Sequence, residues 1–263
     1  MRDRSASKSA GVARFFALAL GFTWLLQLPA LLAQRAVIPG PVERYVPLAA
    51  LGGFGPLLAA VLAARAEGGR EGVRALFRRL RIGPVAPGWF AAALFGFGAL
   101  HVAGMAVYAL AGGEVDRWLY LPENGQQVAA MLMVPFIEET GWRGFALPRM
   151  IPRHGVLRAS LLLGAAWAAW HAVMFALQGV TPLTFVLMSV NVLTGSVVFG
   201  WLYQRTRGSL LVAVVAHAGV HLNNPTHALP ARVAPFAVFT AAVAAAALAV
   251  AVLDRRAMAA RTR

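Results

Sequence analysis

Apolar residues run along this chain in blocks of about twenty, divided by short polar stretches rich in arginine. Eight such blocks can be placed, at 12–33, 46–64, 88–112, 127–147, 157–178, 182–203, 208–224 and 233–253. A helix rises ~1.5 Å per residue, so roughly 20 residues cross a ~30 Å hydrocarbon core. The pattern therefore predicts an all-α, polytopic transmembrane bundle of about eight helices. Blocks 46–64 and 208–224 lie near the short limit and 127–147 is interrupted by charge, so seven or six crossings stay open. No internal repeat occurs and no connection is long enough for a second domain, so 1–263 reads as one membrane domain.

Composition agrees with a lipid-facing surface: 59% of the residues are hydrophobic and 13% charged, too few polar groups to coat a soluble globule. The formal charge of +14 would suit a nucleic-acid binder, but the placement of the cations excludes that reading. Nineteen of the 24 Lys and Arg residues fall at one set of helix ends, and only Arg35, Arg44, Arg117 and Arg232 at the other. That asymmetry follows the positive-inside rule and predicts both termini on the cytoplasmic side. The first block exceeds the ~7 to 15 apolar residues of a signal peptide, so a retained helix is expected. Arginine almost entirely replaces lysine (Lys8 alone), which points to a GC-rich bacterial genome and a bacterial cytoplasmic membrane. In the basic connection 65–88, Val73, Leu76, Phe77 and Leu80 follow i, i+3, i+4, i+7 spacing, which predicts a short helix lying among anionic headgroups. Cysteine is absent, so disulfides, thiol nucleophiles and cysteine-ligated metals are excluded.

Against this background the stretch MVPFIEETGWRGF, 133–145, is anomalous: Glu138, Glu139 and Arg143 follow ten uncharged residues inside the fourth block. One charge at a helix centre costs on the order of 2.5 to 3.5 kcal/mol, so the three must be paired, neutralised or solvated. Glu139 and Arg143 are i, i+4 and can pair on one face, while Glu138 points about 100° away toward other helices. Pro135 removes a backbone donor and can open room for water. Counting from the helix ends puts Glu138 roughly 16 Å deep, His171 roughly 20 Å and His217 roughly 15 Å. Three blocks thus deliver an ionisable group near the bilayer midplane. His217 and His221 share a face at i, i+4, and Trp167 and Trp170 flank His171. His101 and Asn191 read as interhelical hydrogen-bonding residues, and His154 and His227 as loop residues without a role.

A carboxylate at that depth beside histidines suits activation of water, but a buried packing cluster and a proton relay of a transporter fit the same residues. An intramembrane aspartyl dyad is excluded because Asp occurs only at 3, 116 and 254. Ser196 with His217 makes a poor serine protease, since LTGSVV lacks a glycine after the serine, and no H-E-x-x-H occurs.

The residues EETGWRG, WAAWH and HAGVH resemble, in order, the three motifs of the CAAX prenyl protease type II and bacteriocin-processing (CPBP or Abi) intramembrane protease family. The likeness runs from about Pro47 to Asn224 and includes GPLLAA in the second block. It implies that Glu138 is the general base, assisted by His171, that Glu139 and Arg143 organise the first motif, and that His217 stabilises the oxyanion. It also implies membrane-associated protein or peptide substrates; eukaryotic members remove the last three residues of prenylated proteins. A non-catalytic immunity or scaffold protein is the alternative.

Two positions depart from the family pattern. Trp167 stands where Phe is usual, a conservative aromatic change on its face. His221 stands where Asn is usual as a second oxyanion donor, and Asn223 and Asn224 fall on other helix faces. That histidine makes zinc worth weighing, with Glu138, His171, His217 and His221 as one oxygen and three nitrogen ligands, beside a site that needs no cofactor.

Overall fold

A computed structural model describes residues 2–115, 117–222 and 232–261, with side chains from Ala10 onward. The described residues are helical, without a strand: α1 (Arg2–Gln34), α2 (Val46–Gly52), α3 (Gly55–Arg78), α4 (Pro87–Leu110), α5 (Gly125–Glu139), a π-helical segment (Thr140–Ala146), α6 (Leu147–Leu177), α7 (Pro182–Arg205), α8 (Leu210–Leu222), α9 (Val233–Leu253) and α10 (Arg255–Ala259). Every predicted block holds helix. Among the described residues five helices are long and apolar enough to cross a membrane, and α2 with α3 makes a sixth if the bent pair is one span.

The two short blocks differ from simple crossings for separate reasons. The second is broken between α2 and α3, bent by 43° at Gly53 and Phe54. The seventh, α8, has 13 residues and so extends about 20 Å, short of a full hydrocarbon core. The stretch between the fourth and fifth blocks, expected as a connection, is helical. From Gly125 the chain runs through the π segment into α6, breaking only at Gly155, whose φ of 74° favours glycine. His154, expected in a loop, is the last residue before that break.

The basic connection is helical to Arg78, as its spacing predicts, after a kink at Gly68 and Gly69. Part of its apolar face packs on protein: Leu76 is buried, and Phe77 stacks on Phe136 of α5 at 6.5 Å. Asn191 meets its expected kind of partner, donating to Thr240 of α9 at 3.5 Å. His101 differs from expectation, since it contacts Phe239 and Tyr120 ring to ring and its buried Nε2 finds no hydrogen-bond acceptor or donor among the described residues.

The interior gathers around the π segment, all seven of whose residues are buried. It packs against α3, α6 and α8, while α6 pairs with α7 and α1, and α4 with α8 and α9. Its approach to α3 depends on Gly141, where an added Cβ would stand 2.6 Å from the backbone oxygen of Pro56 in GPLLAA. Backbone cannot swing aside as a side chain does. Gly141→Ala is therefore expected to destabilise the fold by about 1–3 kcal/mol, measured as a lower thermal unfolding midpoint in detergent.

Candidate active site

The first motif spans the junction of α5 and the π segment. Glu138 and Glu139 close α5, and Arg143 lies one turn on. The π segment uses wider i→i+5 backbone bonding, a local irregularity often found at functional sites. Arg143 nevertheless reaches back to Glu139, Nη1 to Oε1 at 2.9 Å, with both side chains fully buried. The expected pair on one face is present.

Other helices complete its surroundings. Arg143 Nη2 donates to Ser196 Oγ of α7 at 3.2 Å, and that hydroxyl donates to the carbonyl of Ser160 on α6 at 2.9 Å. The guanidinium lies over the rings of Trp167 and Phe199, 4.4 and 4.5 Å from their centroids. His217 of α8 meets the same carboxylate oxygen, Nδ1 to Glu139 Oε1 at 2.9 Å. A carboxylate paired with arginine accepts, so His217 carries its proton on Nδ1 and turns Nε2 to further chemistry. His221 stacks on His217 with ring centroids 4.8 Å apart.

Glu138 has a different partner. Its Oε2 accepts a 2.6 Å hydrogen bond from Trp167 Nε1, and the side chain is 4% exposed. His171, one turn beyond Trp167, is half-buried and places Nδ1 2.8 Å from the Trp167 carbonyl, which likewise fixes the proton on Nδ1. Trp167 thus stands among all three ionisable groups, its ring 5.8 Å from His171 and 5.4 Å from His217. The other flanking tryptophan anchors the motif to α1: Trp170 Nε1 donates to Thr23 Oγ1 at 2.7 Å, and Thr23 donates to Gly52 O at 2.7 Å.

The structure therefore brings together Glu138, Glu139, Arg143, His171, His217 and His221, and His217 bonds Glu139, the residue beside Glu138. Ser196, Ser160 and Phe199 belong to the cluster although they lie outside the three motifs. A small hydroxyl residue at 196 within an apolar block was the signal available for Ser196. Asn223, Asn224 and His227 lie outside the described residues.

The four residues weighed as zinc ligands are not gathered into one ligand cluster. Among the described residues no three His, Asp or Glu side chains come close enough to hold one ion. The Trp167 N–H occupies one oxygen of Glu138, and Nδ1 of His171 and of His217 is engaged, which leaves the second oxygen and the Nε2 atoms as the groups a cation would have to use.

Comparison with known proteins adds a likeness over the part of the chain that carries the motifs. Residues 123–223, which carry all three motifs, match the profile of a family described as type II CAAX prenyl endopeptidase Rce1-like. That part of the chain is similar to the family which the three motifs resemble. CAAX prenyl protease 2 of Methanococcus maripaludis is 25% identical over 101 residues, which cover 35% of this chain and 37% of that relative. The match spans little more than a third of either chain. With its apolar helices, the chain is an integral membrane protein.

Proposed function

We propose that the protein is an intramembrane endopeptidase that hydrolyses a peptide bond of a membrane-associated protein or peptide with water activated by Glu138. One observation carries this reading: a buried carboxylate, held through one oxygen by Trp167, stands in a cluster with two histidines whose Nδ1 atoms are already engaged. Burial without a cation of its own is costly for Glu138 unless a proton is exchanged there.

The chemistry runs through the chain's own groups. Water attacks the scissile carbonyl carbon as Glu138 takes its proton, with His171 orienting the water through Nε2. The carbonyl oxygen becomes an oxyanion, to which His217 donates from Nε2. Since His217 also donates from Nδ1, it serves as an imidazolium whose charge Glu139 balances. On collapse the carbon–nitrogen bond breaks and the proton held by Glu138 passes to the leaving amine. His221, in the usual Asn position, supplies the second oxyanion donor. Positive charge at one set of helix ends supports cytoplasmic termini, in a bacterial membrane.

The test is cleavage by the purified protein in liposomes, on membrane-tethered peptides with and without a prenylated C-terminal cysteine. Cleavage is expected and is unchanged, within twofold, after dialysis against a strong chelator. Loss of cleavage on chelation with recovery on adding zinc overturns the metal-free mechanism. Absence of cleavage across the set favours the immunity or scaffold reading, in which the cluster only packs helices.

A further inference from the structure

We propose that Trp167 is a positioning residue whose indole N–H fixes the catalytic carboxylate of Glu138, a task that the phenylalanine usual at this place in the family has no atom to perform. The inference rests on the protease reading given above and deepens it. On sequence the exchange of Phe for Trp looks conservative, because both are large aromatics. In the structure it adds a donor, and that donor lies 2.6 Å from Glu138 Oε2 with the tryptophan side chain 5% exposed.

The consequence is geometric. A glutamate has three side-chain torsions, and an unconstrained base spends most of its time away from the water it must deprotonate. Bonding one oxygen to a ring that is itself held on several sides leaves the second oxygen in a defined place. Trp167 is held in that way: Arg143 lies over its face, Phe199 packs edge-on at 5.9 Å, and His217 packs at 5.4 Å. Its own backbone carbonyl receives His171 Nδ1. One residue thereby sets the place of the base and of the histidine that assists it.

The test separates the N–H from the ring. Trp167→Phe keeps an aromatic face for Arg143 and the histidines but removes the donor. Incorporating benzothienylalanine at 167 keeps the full bicyclic shape with sulfur in place of N–H, and covers the case in which Trp167→Phe does not fold. Both variants are expected to lower kcat by about tenfold, the equivalent of about 1.4 kcal/mol, with KM within twofold and the unfolding midpoint of the benzothienyl protein unchanged. Ultraviolet resonance Raman difference spectra, which report indole N–H hydrogen bonding, supply an arm independent of activity. A strongly bonded component is expected to be lost equally from Trp167→Phe and from Glu138→Leu. Wild-type kcat in the benzothienyl protein, or a Raman component that survives Glu138→Leu, overturns the proposal. Wild-type protein that cleaves no peptide sinks the protease reading and the positioning role with it, and the Raman difference still reports whether the bond exists. A bond present beside unchanged kcat rejects Trp167 alone.

Discussion

Glu138→Gln is expected to lower kcat by about 10²- to 10⁴-fold, the range associated with loss of a general base, and to leave the fold intact. The two halves of that expectation have separate causes. The amide nitrogen and oxygen of glutamine cannot take a proton from water near neutral pH, so the attacking nucleophile is no longer generated. The amide oxygen still accepts from Trp167 Nε1, so the 2.6 Å contact that fixes the side chain has a replacement of the same shape. Cleavage of a tethered fluorogenic peptide, measured beside the thermal unfolding midpoint of the same preparation, separates the two. Cleavage at the wild-type rate would remove Glu138 from the mechanism. A midpoint lowered by many degrees would show that its charge supports the fold.

The largest stability effect is expected at Arg143. Arg143→Ala strands the carboxylate of Glu139, fully buried and left with His217 as its remaining charge partner, and empties the space between Trp167 and Phe199. Breaking a buried ion pair from one side typically costs about 3–5 kcal/mol, because no water replaces the counterion that is lost. Unfolding of the variant in a denaturing detergent series should show a loss of that order, together with loss of cleavage. Adding Glu139→Ala should return part of the stability, since removing both charges leaves no stranded ion. A double variant as unstable as the sum of the two singles would mean that the pair does not act as a unit. Arg143→Lys is expected to fall between, because a single ammonium cannot contact Glu139 and Ser196 Oγ with the two arms that Nη1 and Nη2 provide.

Most of the helices were legible because each apolar block has to satisfy its backbone internally, and a helix is the way a single segment does so in lipid. The Glu139–Arg143 pair was legible for the same reason, being local. What the sequence did not disclose depends on relations between blocks. A depth count places residues along a helix axis but says little about rotation about it once the backbone widens into a π turn, and Thr140–Ala146 does so immediately after Glu138 and Glu139. Hence the partner of His217 is Glu139, and Glu138 turns to Trp167. The importance of Trp167 was hidden by substitution logic, which ranks it with Phe by size and ignores one hydrogen. Ser196 was weighed only as a nucleophile, whereas its hydroxyl accepts from Arg143 and donates to Ser160. The break at Gly53 and Phe54 and the helical course of 148–154 escaped notice because glycine and arginine there signal a connection equally well.

The way Arg143 is coordinated also bears on how the chain is made. Glu138, Glu139 and Arg143 are synthesised before Trp167, Ser196 and His217, the last of these 74 positions after Arg143. At roughly 5–20 residues per second, His217 follows Arg143 by about 4 to 15 s. Through that interval the fourth block has left the ribosome with three charges and only one of its eventual polar contacts between side chains, the ion pair it forms within its own turn. The salt bridge between Glu139 and Arg143 is a contact that lies within that one segment and needs no other helix to form.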